Sequence, residues 1–401
     1  MISEAPKPSD QLLSTVAQLK PPFYLIDEAA LVTNLEILRD VANRSGAKIV
    51  LAQKAFAQPQ LYPLIGRYLD GACASGHWEA ELARTHLPEE AEVITCSPAY
   101  NDEDISALLP ISDHLDFNSL SQWSRYREQC LSYRVEHHSS IHFGLRINPE
   151  FSTGETPLYD PCASGSRLGI TVEQLRGCEL LDGISGLHFH TLCEQGLDDL
   201  ADTIQAVEEK FGWLLSQEQI CYLNLGGGHW ITKDGYDREG LVRLIQELTT
   251  KYQLQVYLEP GEAVAIHSGI LVGTVLDLHR NGDVTNAILD LSATAHMPDV
   301  LEMPYRPDVY LDGTLALESG EHLYRLTGNT CLAGDQIGDY AFHRSLQVGD
   351  QIVFNDMAHY TMVKTTFFNG VKHPAIHLHH TDGSLSTLRE YSYQDYLALK
   401  K

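Results

Sequence analysis

The chain has 401 residues, 43% of them hydrophobic and 20% charged, which is the composition of a globular protein long enough for one large domain and a smaller one. Its formal net charge of −26 disfavours nucleic acid or an anionic membrane as a partner and would attract a cationic ligand. The eight cysteines are scattered without CxxC pairs, so we expect reduced thiols rather than a disulfide framework or a structural metal.

The amino-terminal stretch has neither the basic nor the apolar region of a signal peptide. No apolar run approaches the ~20 residues of a membrane span, so the sequence predicts a cytoplasmic protein. After this polar leader, Pro21 and Pro22 introduce a short strand at 23–27. Asp27 is then placed to cap a helix that runs to about Asn43.

Short apolar strands follow, mostly separated by segments long enough to hold a helix. They are predicted near 48–54, 71–75, 92–97, 114–119, 140–147, 184–190, 222–227 and 255–261. Eight parallel strands with intervening helices describe an α/β fold, the (β/α)8 TIM barrel, whose functional groups lie at the carboxyl ends of the strands. We therefore predict a barrel over residues 28–268.

The predicted strand ends agree with that rule because they are unusually polar. They carry Lys54, Ser75, Ser97, Asn118, Arg146 with Asn148, His190, the glycines 226–228, and Glu259. From about Gly269 the pattern changes to apolar-polar alternation with turn pairs such as Asn281-Gly282, which predicts antiparallel strands. Residues 1–27 and 269–401 are therefore expected to form a β-sandwich or β-barrel domain.

Two of these strand ends suggest covalent and electron-sink chemistry. Lys54 ends the apolar run 47–57, and a desolvated lysine amine is easier to deprotonate and so more nucleophilic. The alternative is a side chain that reaches from the strand end into water. Glu259 precedes Pro260 and Gly261 and could keep a pyridine nitrogen protonated, although it could equally be a helix cap or a surface acid.

Two further motifs lie at the ends of the sixth and seventh strands. Gly226, Gly227 and Gly228 could close their backbone N–H groups around a phosphate, or form a simple tight turn. His188 and His190 are predicted to point the same way. Such a pair resembles the metal-binding pair of barrel hydrolases, but those enzymes carry it on their first strand. We prefer one histidine stacked on a cofactor ring and the other in a structural role, with no metal.

In the second domain, Cys331 lies among turn residues with Asp335 nearby, so its thiol could donate a proton, although a lone cysteine is more often inert. The order of these motifs resembles the fold-type III pyridoxal-phosphate decarboxylases, which include the ornithine and diaminopimelate decarboxylases. It runs Lys54, His190, Gly226–Gly228, Glu259-Pro260-Gly261, Cys331 and Tyr360. Three stretches are similar to the carboxynorspermidine decarboxylases of this group, at 159–169, 186–194 and 295–307.

This resemblance implies an alanine-racemase-like barrel that binds pyridoxal 5'-phosphate. Lys54 would hold the cofactor covalently, and His190 would stack on its ring. The three glycines would hold the phosphate with Tyr360 nearby, and Glu259 would pair with the pyridine nitrogen. These residues are the cofactor-binding set that the resemblance implies.

The same resemblance implies a homodimer in which the β-domain of one chain completes the active site of the other. Cys331 and Asp335 would enter from the partner chain, with Cys331 as the proton donor. The predicted reaction is decarboxylation of carboxynorspermidine to norspermidine, and of carboxyspermidine to spermidine, in polyamine biosynthesis. A non-catalytic regulator on the same fold is an alternative, against which the retained Lys54 and Cys331 argue.

One departure from the family pattern bears on the substrate. Glu262 follows Glu-Pro-Gly where ornithine and diaminopimelate decarboxylases usually have arginine, which argues against those two activities. We expect Glu262 to face an amine of a small cationic carboxypolyamine. Asp299, Arg306 and Asp335 are further candidates for substrate binding.

Overall fold

The computed structural model describes residues 5–154, 157–178, 181–303 and 305–401. Internal contacts divide the chain into two compact units, which we call the barrel unit, Asn34–Val264, and the sheet unit, Met1–Thr33 with Ala265–Lys401. Among the described residues, no helix combines the length and apolar character that a membrane crossing requires.

The strands are β1 Phe23–Asp27, β2 Lys48–Ala52, β3 Gly71–Ala74, β4 Glu92–Ser97, β5 His114–Phe117, β6 His142–Arg146, β7 Ile184–His188, β8 Tyr222–Asn224, β9 Gln255–Leu258, β10 Gly269–Asn281, β11 Val284–Leu289, β12 Val309–Leu311, β13 Thr314–Leu315, β14 His322–Thr327, β15 Gln336–Phe342, β16 Gln351–Phe354, β17 Ala375–His379 and β18 Leu385–Arg389.

The helices are α1 Asp10–Thr15, α2 Glu28–Ser45, α3 Tyr62–Ile65, α4 His77–His86, α5 Asp102–Leu108, α6 Leu120–Glu136, α7 Val172–Leu175, α8 Leu197–Leu215, α9 Arg238–Tyr252, α10 Glu262–Ala265, α11 Ala293–His296, α12 Asp299–Glu302 and α13 Tyr393–Ala398. Asp27 caps α2 as predicted, because its Oδ1 accepts hydrogen bonds from the N–H groups of Ala29 and Ala30.

Strands β2 to β9 form a closed barrel in which every pair is parallel, which confirms the predicted fold. Most of these strands end earlier than the sequence predicted. Strand β2 ends at Ala52 because the chain turns there, with the N–H of Ala55 bonded to the carbonyl of Ala52 at 3.0 Å. Strand β7 ends at His188, so His190 lies beyond it. Most of the polar groups therefore lie in the turns that follow the strands, whereas Ser97 and Arg146 are the last residues of β4 and β6.

The sheet unit contains a ten-stranded sheet in the order β13-β12-β16-β10-β1-β17-β18, with β11, β14 and β15 attached beside β10. Most strand pairs of this sheet are antiparallel, as predicted, but β1 pairs parallel with β17 and β11 pairs parallel with β14. The sequence pattern showed alternation but not strand direction. Phe23 and Leu25 of β1 are fully buried and pack with Ile270 and Val272 of β10, so the amino-terminal strand lies in the core of this sheet.

Candidate active site

Lys54 lies in the turn after β2, where its side chain is exposed rather than buried, contrary to the desolvation argument from the sequence. Its Nζ is 3.1 Å from Nε2 of His190. The N–H of Gly227 donates to Nδ1 of the same ring at 3.1 Å. Burial and the neighbouring Lys54 lower the pKa of His190 well below its usual value, so the ring is neutral.

These contacts define the tautomer of His190. A neutral imidazole carries one hydrogen, and because Nδ1 of His190 accepts from Gly227, that hydrogen is on Nε2. The Nε2–H group then faces the amine of Lys54. The ring of His190 is therefore held between the glycine turn and the Lys54 side chain.

The three glycines bring the turns after β7, β8 and β9 into close contact. A Cβ atom added at Gly226 would lie 2.5 Å from the carbonyl oxygen of Phe189, and one at Gly227 would lie 2.2 Å from that of Glu259. At Gly228 it would lie 2.0 Å from the carbonyl oxygen of Leu192, and the φ of +87° there also favours glycine. Close packing of the backbone thus requires these glycines.

Two amides of this glycine turn have partners within the barrel unit. The N–H of Gly226 donates to Oδ1 of Asn224 at 2.9 Å, and that of Gly227 donates to His190. Two of the three amides that we expected to face a phosphate therefore bond within the barrel, because the turn uses them to position Asn224 and His190.

Glu259 lies just after β9 and is buried. Its Oε1 accepts a hydrogen bond from Nδ2 of Asn224 at 2.6 Å, and its Oε2 is 3.5 Å from Nε2 of His188. Burial acts to raise the pKa of Glu259, but the charge of His188 and the hydrogen bonds outweigh it and lower that pKa to about 2. The barrel therefore holds an ionised carboxylate at this point.

Sequence reasoning missed the groups behind Glu259. Nδ1 of His188 is 3.8 Å from Oδ2 of Asp116, a fully buried residue in β5. Oδ1 of Asp116 accepts from the hydroxyl group of Tyr222 at 2.6 Å. An aspartate inside the otherwise apolar Leu115-Asp116-Phe117 was the available sequence signal. We call the four residues Tyr222, Asp116, His188 and Glu259 the barrel relay.

His188 and His190 have different partners, so the predicted pair is not a joint ligand site. His188 faces two carboxylates, whereas His190 faces Lys54 and Gly227. In the parts of the chain that the structure describes, no three His, Cys, Asp or Glu side chains are grouped as metal ligands.

Glu262 is the first residue of α10, and its Oε1 is 3.3 Å from the indole Nε1 of Trp230, which donates to it. The ammonium group of Lys233 lies over the same indole ring, 3.5 Å from the ring centroid. The face of the Trp230 ring thus contacts the Lys233 ammonium group, and its N–H group contacts the Glu262 carboxylate. Contact with an ammonium group is typical of an indole face.

In the sheet unit, Cys331 is exposed in the turn between β14 and β15, and its N–H donates to Oδ1 of Asn369 at 2.9 Å. Asp335 is buried, and its carboxylate accepts from the N–H of Ala293 at 2.7 Å and from the hydroxyl group of Thr330. Both carboxylate oxygens of Asp335 thus have partners within the chain, and its predicted substrate contact stays a prediction. Its oxygens are used to shape the turn that carries Cys331.

Three other predicted residues lie in the sheet unit, and two of them, Asp299 and Arg306, contact other side chains of that unit. Asp299 and Glu302 both accept from the ammonium group of Lys364. The guanidinium group of Arg306 lies 4.5 Å from the centroid of the Tyr340 ring. Tyr360 has a φ of +46°, an uncommon conformation for a tyrosine. Their roles in binding substrate or cofactor stay predictions.

The fold and these side chains define an enzyme of the α/β barrel class, with a lysine beside a histidine and an ionised glutamate just beyond the carboxyl ends of the strands. The family model described as pyridoxal-dependent decarboxylase, C-terminal sheet domain, matches residues 23–358. The chain belongs to this family of pyridoxal-dependent decarboxylases.

Relatives with known names match over nearly the whole chain. A carboxyaminopropylagmatine decarboxylase from Synechocystis is 44% identical over 382 residues, which cover 95% of each chain. A carboxynorspermidine/carboxyspermidine decarboxylase from Campylobacter jejuni is 42% identical over 389 residues, which cover 94% of this chain and 98% of the relative. The crystal structure of a carboxynorspermidine decarboxylase from Campylobacter jejuni, complexed with norspermidine, is 40% identical with a TM-score of 0.84 and covers 96% of this chain and 100% of that one.

Proposed function

We propose that this chain decarboxylates carboxynorspermidine to norspermidine and carboxyspermidine to spermidine in polyamine biosynthesis, with pyridoxal 5'-phosphate as cofactor. The observation that carries this proposal is the similarity, over 96% of this chain, to the Campylobacter jejuni carboxynorspermidine decarboxylase whose structure was solved with norspermidine. The net charge of −26 agrees with a substrate that carries several ammonium groups.

The residues of the barrel unit fit this cofactor by their chemistry. The amine of Lys54 suits a carbonyl carbon, and an ionised carboxylate at Glu259 suits a protonated ring nitrogen. The neutral, fixed imidazole of His190 suits a stacking partner for the ring. When bound, the cofactor supplies an electron sink for the electron pair that CO2 leaves behind.

The chain's own groups would then orient the substrate and handle protons. Glu259 keeps a proton at the ring nitrogen because its carboxylate is a poor proton acceptor. Glu262, with Trp230 beside it, would accept an ammonium group of the substrate. The thiol of Cys331 would deliver a proton to the carbon that lost CO2.

We further propose that the enzyme works in the cytoplasm as a homodimer, with Cys331 of one chain serving the site that holds Lys54 of the other. The family resemblance supports this arrangement. The exposed position of Cys331 on a turn of the sheet unit also supports it, because an exposed thiol is accessible to a second chain.

A second candidate substrate is carboxyaminopropylagmatine, since a decarboxylase of that name from Synechocystis is 44% identical to this chain. The two substrate types differ at the far end, where one ends in an ammonium group and the other in a guanidinium group. A guanidinium group stacks on aromatic faces and binds carboxylates with two hydrogen bonds. Trp230 and Glu262 would bind either the ammonium end of one substrate type or the guanidinium end of the other. Measured kcat/KM values distinguish the two substrate types.

The cofactor assignment is tested by reducing the purified protein with borohydride and mapping the product by mass spectrometry. We expect an absorbance band near ~420 nm before reduction and a pyridoxyl group on Lys54 afterwards. Lys54→Ala should lose the adduct, whereas the control Lys48→Ala should keep it, because Lys48 lies at the start of β2 and pairs with Glu92. An unmodified Lys54 in the reduced wild type would refute the assignment.

The substrate is tested by supplying carboxynorspermidine, carboxyspermidine, carboxyaminopropylagmatine, diaminopimelate and ornithine separately and identifying each product by mass spectrometry. We expect norspermidine and spermidine, with kcat/KM for diaminopimelate and ornithine at least ~100-fold lower. A higher kcat/KM for carboxyaminopropylagmatine than for both carboxypolyamines would establish the second candidate instead.

A further inference from the structure

The barrel relay links two buried carboxylates through one histidine. Nε2 of His188 faces Glu259 at 3.5 Å, and Nδ1 of the same ring faces Asp116 at 3.8 Å. A neutral imidazole carries a hydrogen on only one nitrogen, so it would turn a lone pair toward one of the two carboxylates. Only the imidazolium form presents an N–H group to both.

Burial of the two carboxylates favours the imidazolium form of His188. His188, Asp116 and Glu259 are each less than a tenth exposed, so two carboxylates without a cation between them would be costly to bury. Burial acts to lower the pKa of His188, but its interactions with Cys96 and with the Glu259 carboxylate outweigh burial and raise that pKa to about 10. Arg146 is a further cation near Asp116. With both carboxylates ionised, His188, Asp116 and Glu259 together carry one negative charge.

The neighbouring strands are shaped to hold the relay in place. A Cβ atom at Gly144 of β6 would lie 2.1 Å from Oδ1 of Asp116, and one at Gly186 of β7 would lie 2.0 Å from the Tyr222 ring. Glycine at both positions leaves the space in which Tyr222 bonds to Asp116. Asp116 is thereby fixed against His188 by a group outside the predicted cofactor site.

We propose that His188 is a positioning residue for the cofactor, whose imidazolium, anchored by Asp116, keeps Glu259 ionised and turned toward the ring nitrogen. This inference rests on the proposed function and deepens it. A proton shared between Glu259 and a pyridine nitrogen lies on the more basic of the two. His188 makes Glu259 less basic, so the proton stays on the ring. The ring can then accept the electrons of the reaction.

The first test needs no cofactor and no activity. In the apo protein labelled with 15N-histidine, both ring nitrogens of His188 should show imidazolium shifts at pH 8, where an ordinary histidine is neutral. The signal is assigned by its loss in His188→Gln. Asp116→Asn, which keeps the size of the side chain, should lower the pKa of His188 by at least ~1 unit. A neutral His188 ring at pH 8 in the wild type would overturn the proposal.

The second test compares pyridoxal phosphate with its 1-deaza analogue, in which C–H replaces the ring nitrogen. Dissociation constants for apo protein are measured by absorbance titration. We expect the wild type to prefer pyridoxal phosphate and His188→Gln to lose about 10-fold of that preference, because a charge-assisted contact is lost. The control His142→Gln should keep the preference, since His142 lies at the start of β6 and contacts Ser185.

The two binding measurements distinguish a failure of the positioning role of His188 from a failure of the cofactor assignment. An unchanged preference in His188→Gln, or an equal loss in the His142 control, would refute the positioning role while the cofactor assignment stands. If the wild type binds neither compound, the cofactor assignment fails, and with it the role of His188 toward the ring. Should His188→Gln fail to fold, Asp116→Asn replaces it and should show a smaller loss in the same direction.

Discussion

Replacing Gly186 with alanine is expected to destabilise the barrel severely. The new Cβ atom would lie 2.0 Å from Cε1 and 2.1 Å from Cζ of Tyr222, so the ring must move by about 1.4 Å to restore ordinary contact. The ring is buried, and the His114 ring lies 4.5 Å away, so the movement strains the barrel interior and breaks the bond from Tyr222 to Asp116. Overpacking and the loss of a hydrogen bond to a charged group together cost roughly 3–6 kcal/mol.

The assay is thermal unfolding of the apo protein, for which this cost predicts a fall in Tm of about 4–7 °C, because the entropy of unfolding of a 401-residue chain is about 0.8 kcal/mol/K. Gly334→Ala is the matched control, because a Cβ atom there meets nothing within 4 Å, and its Tm should change little. Tyr222→Leu should be destabilising alone, yet adding Gly186→Ala to it should cost less than in the wild type. If the two costs simply add, the clash with Tyr222 is not the cause and the reasoning fails.

Three further predictions concern pH, substrate and assembly. Because the pKa of His188 is raised to about 10, the stabilising effect of the His188 charge is complete below pH ~6.5 and is lost as pH rises through 10. The Tm of the apo wild type should therefore exceed that of His188→Gln by less at pH 10 than at pH 7. A constant difference in Tm would contradict this. Glu262→Gln should raise KM for carboxynorspermidine about 10-fold and leave the dissociation constant of the cofactor unchanged, and equal losses in both would place Glu262 outside the substrate site. Lys54→Ala and Cys331→Ala should each be inactive, but freely exchanging mixtures should recover about a quarter of wild-type activity if the site is shared, and none if both residues act within one chain.

The sequence predicted the barrel because its signals were local. Each strand is a short apolar run, and the turn after it carries the polar group, so counting eight such units was sufficient. The ends of the strands were less predictable. Whether Lys54 continues β2 or lies beyond it depends on the turn bond between Ala55 and Ala52, which leaves no mark in the hydrophobic pattern.

Contacts between residues on distant strands could not be predicted from local sequence patterns. Asp116 and Glu259 lie on β5 and just after β9, and only the closed barrel brings His188 between them. The environment of Asp335 was equally hidden from the sequence. Its place beside Cys331 suggested a role in binding, but its carboxylate is enclosed by N–H groups of its own unit, and that enclosure depends on three-dimensional packing.

The position of β1 has a consequence for biosynthesis on the ribosome. Strand β1 pairs with β10 and β17, so Phe23 is made about 350 residues before its partner Ala375. At ≈5–20 residues per second, roughly 20–70 s pass before that pairing can form. The barrel strands are all translated within this interval, while the apolar side chains of β1 still lack their partners. The amino-terminal segment is therefore where a nascent chain of this enzyme would most need a chaperone, and the sheet would be the last part of the monomer to fold.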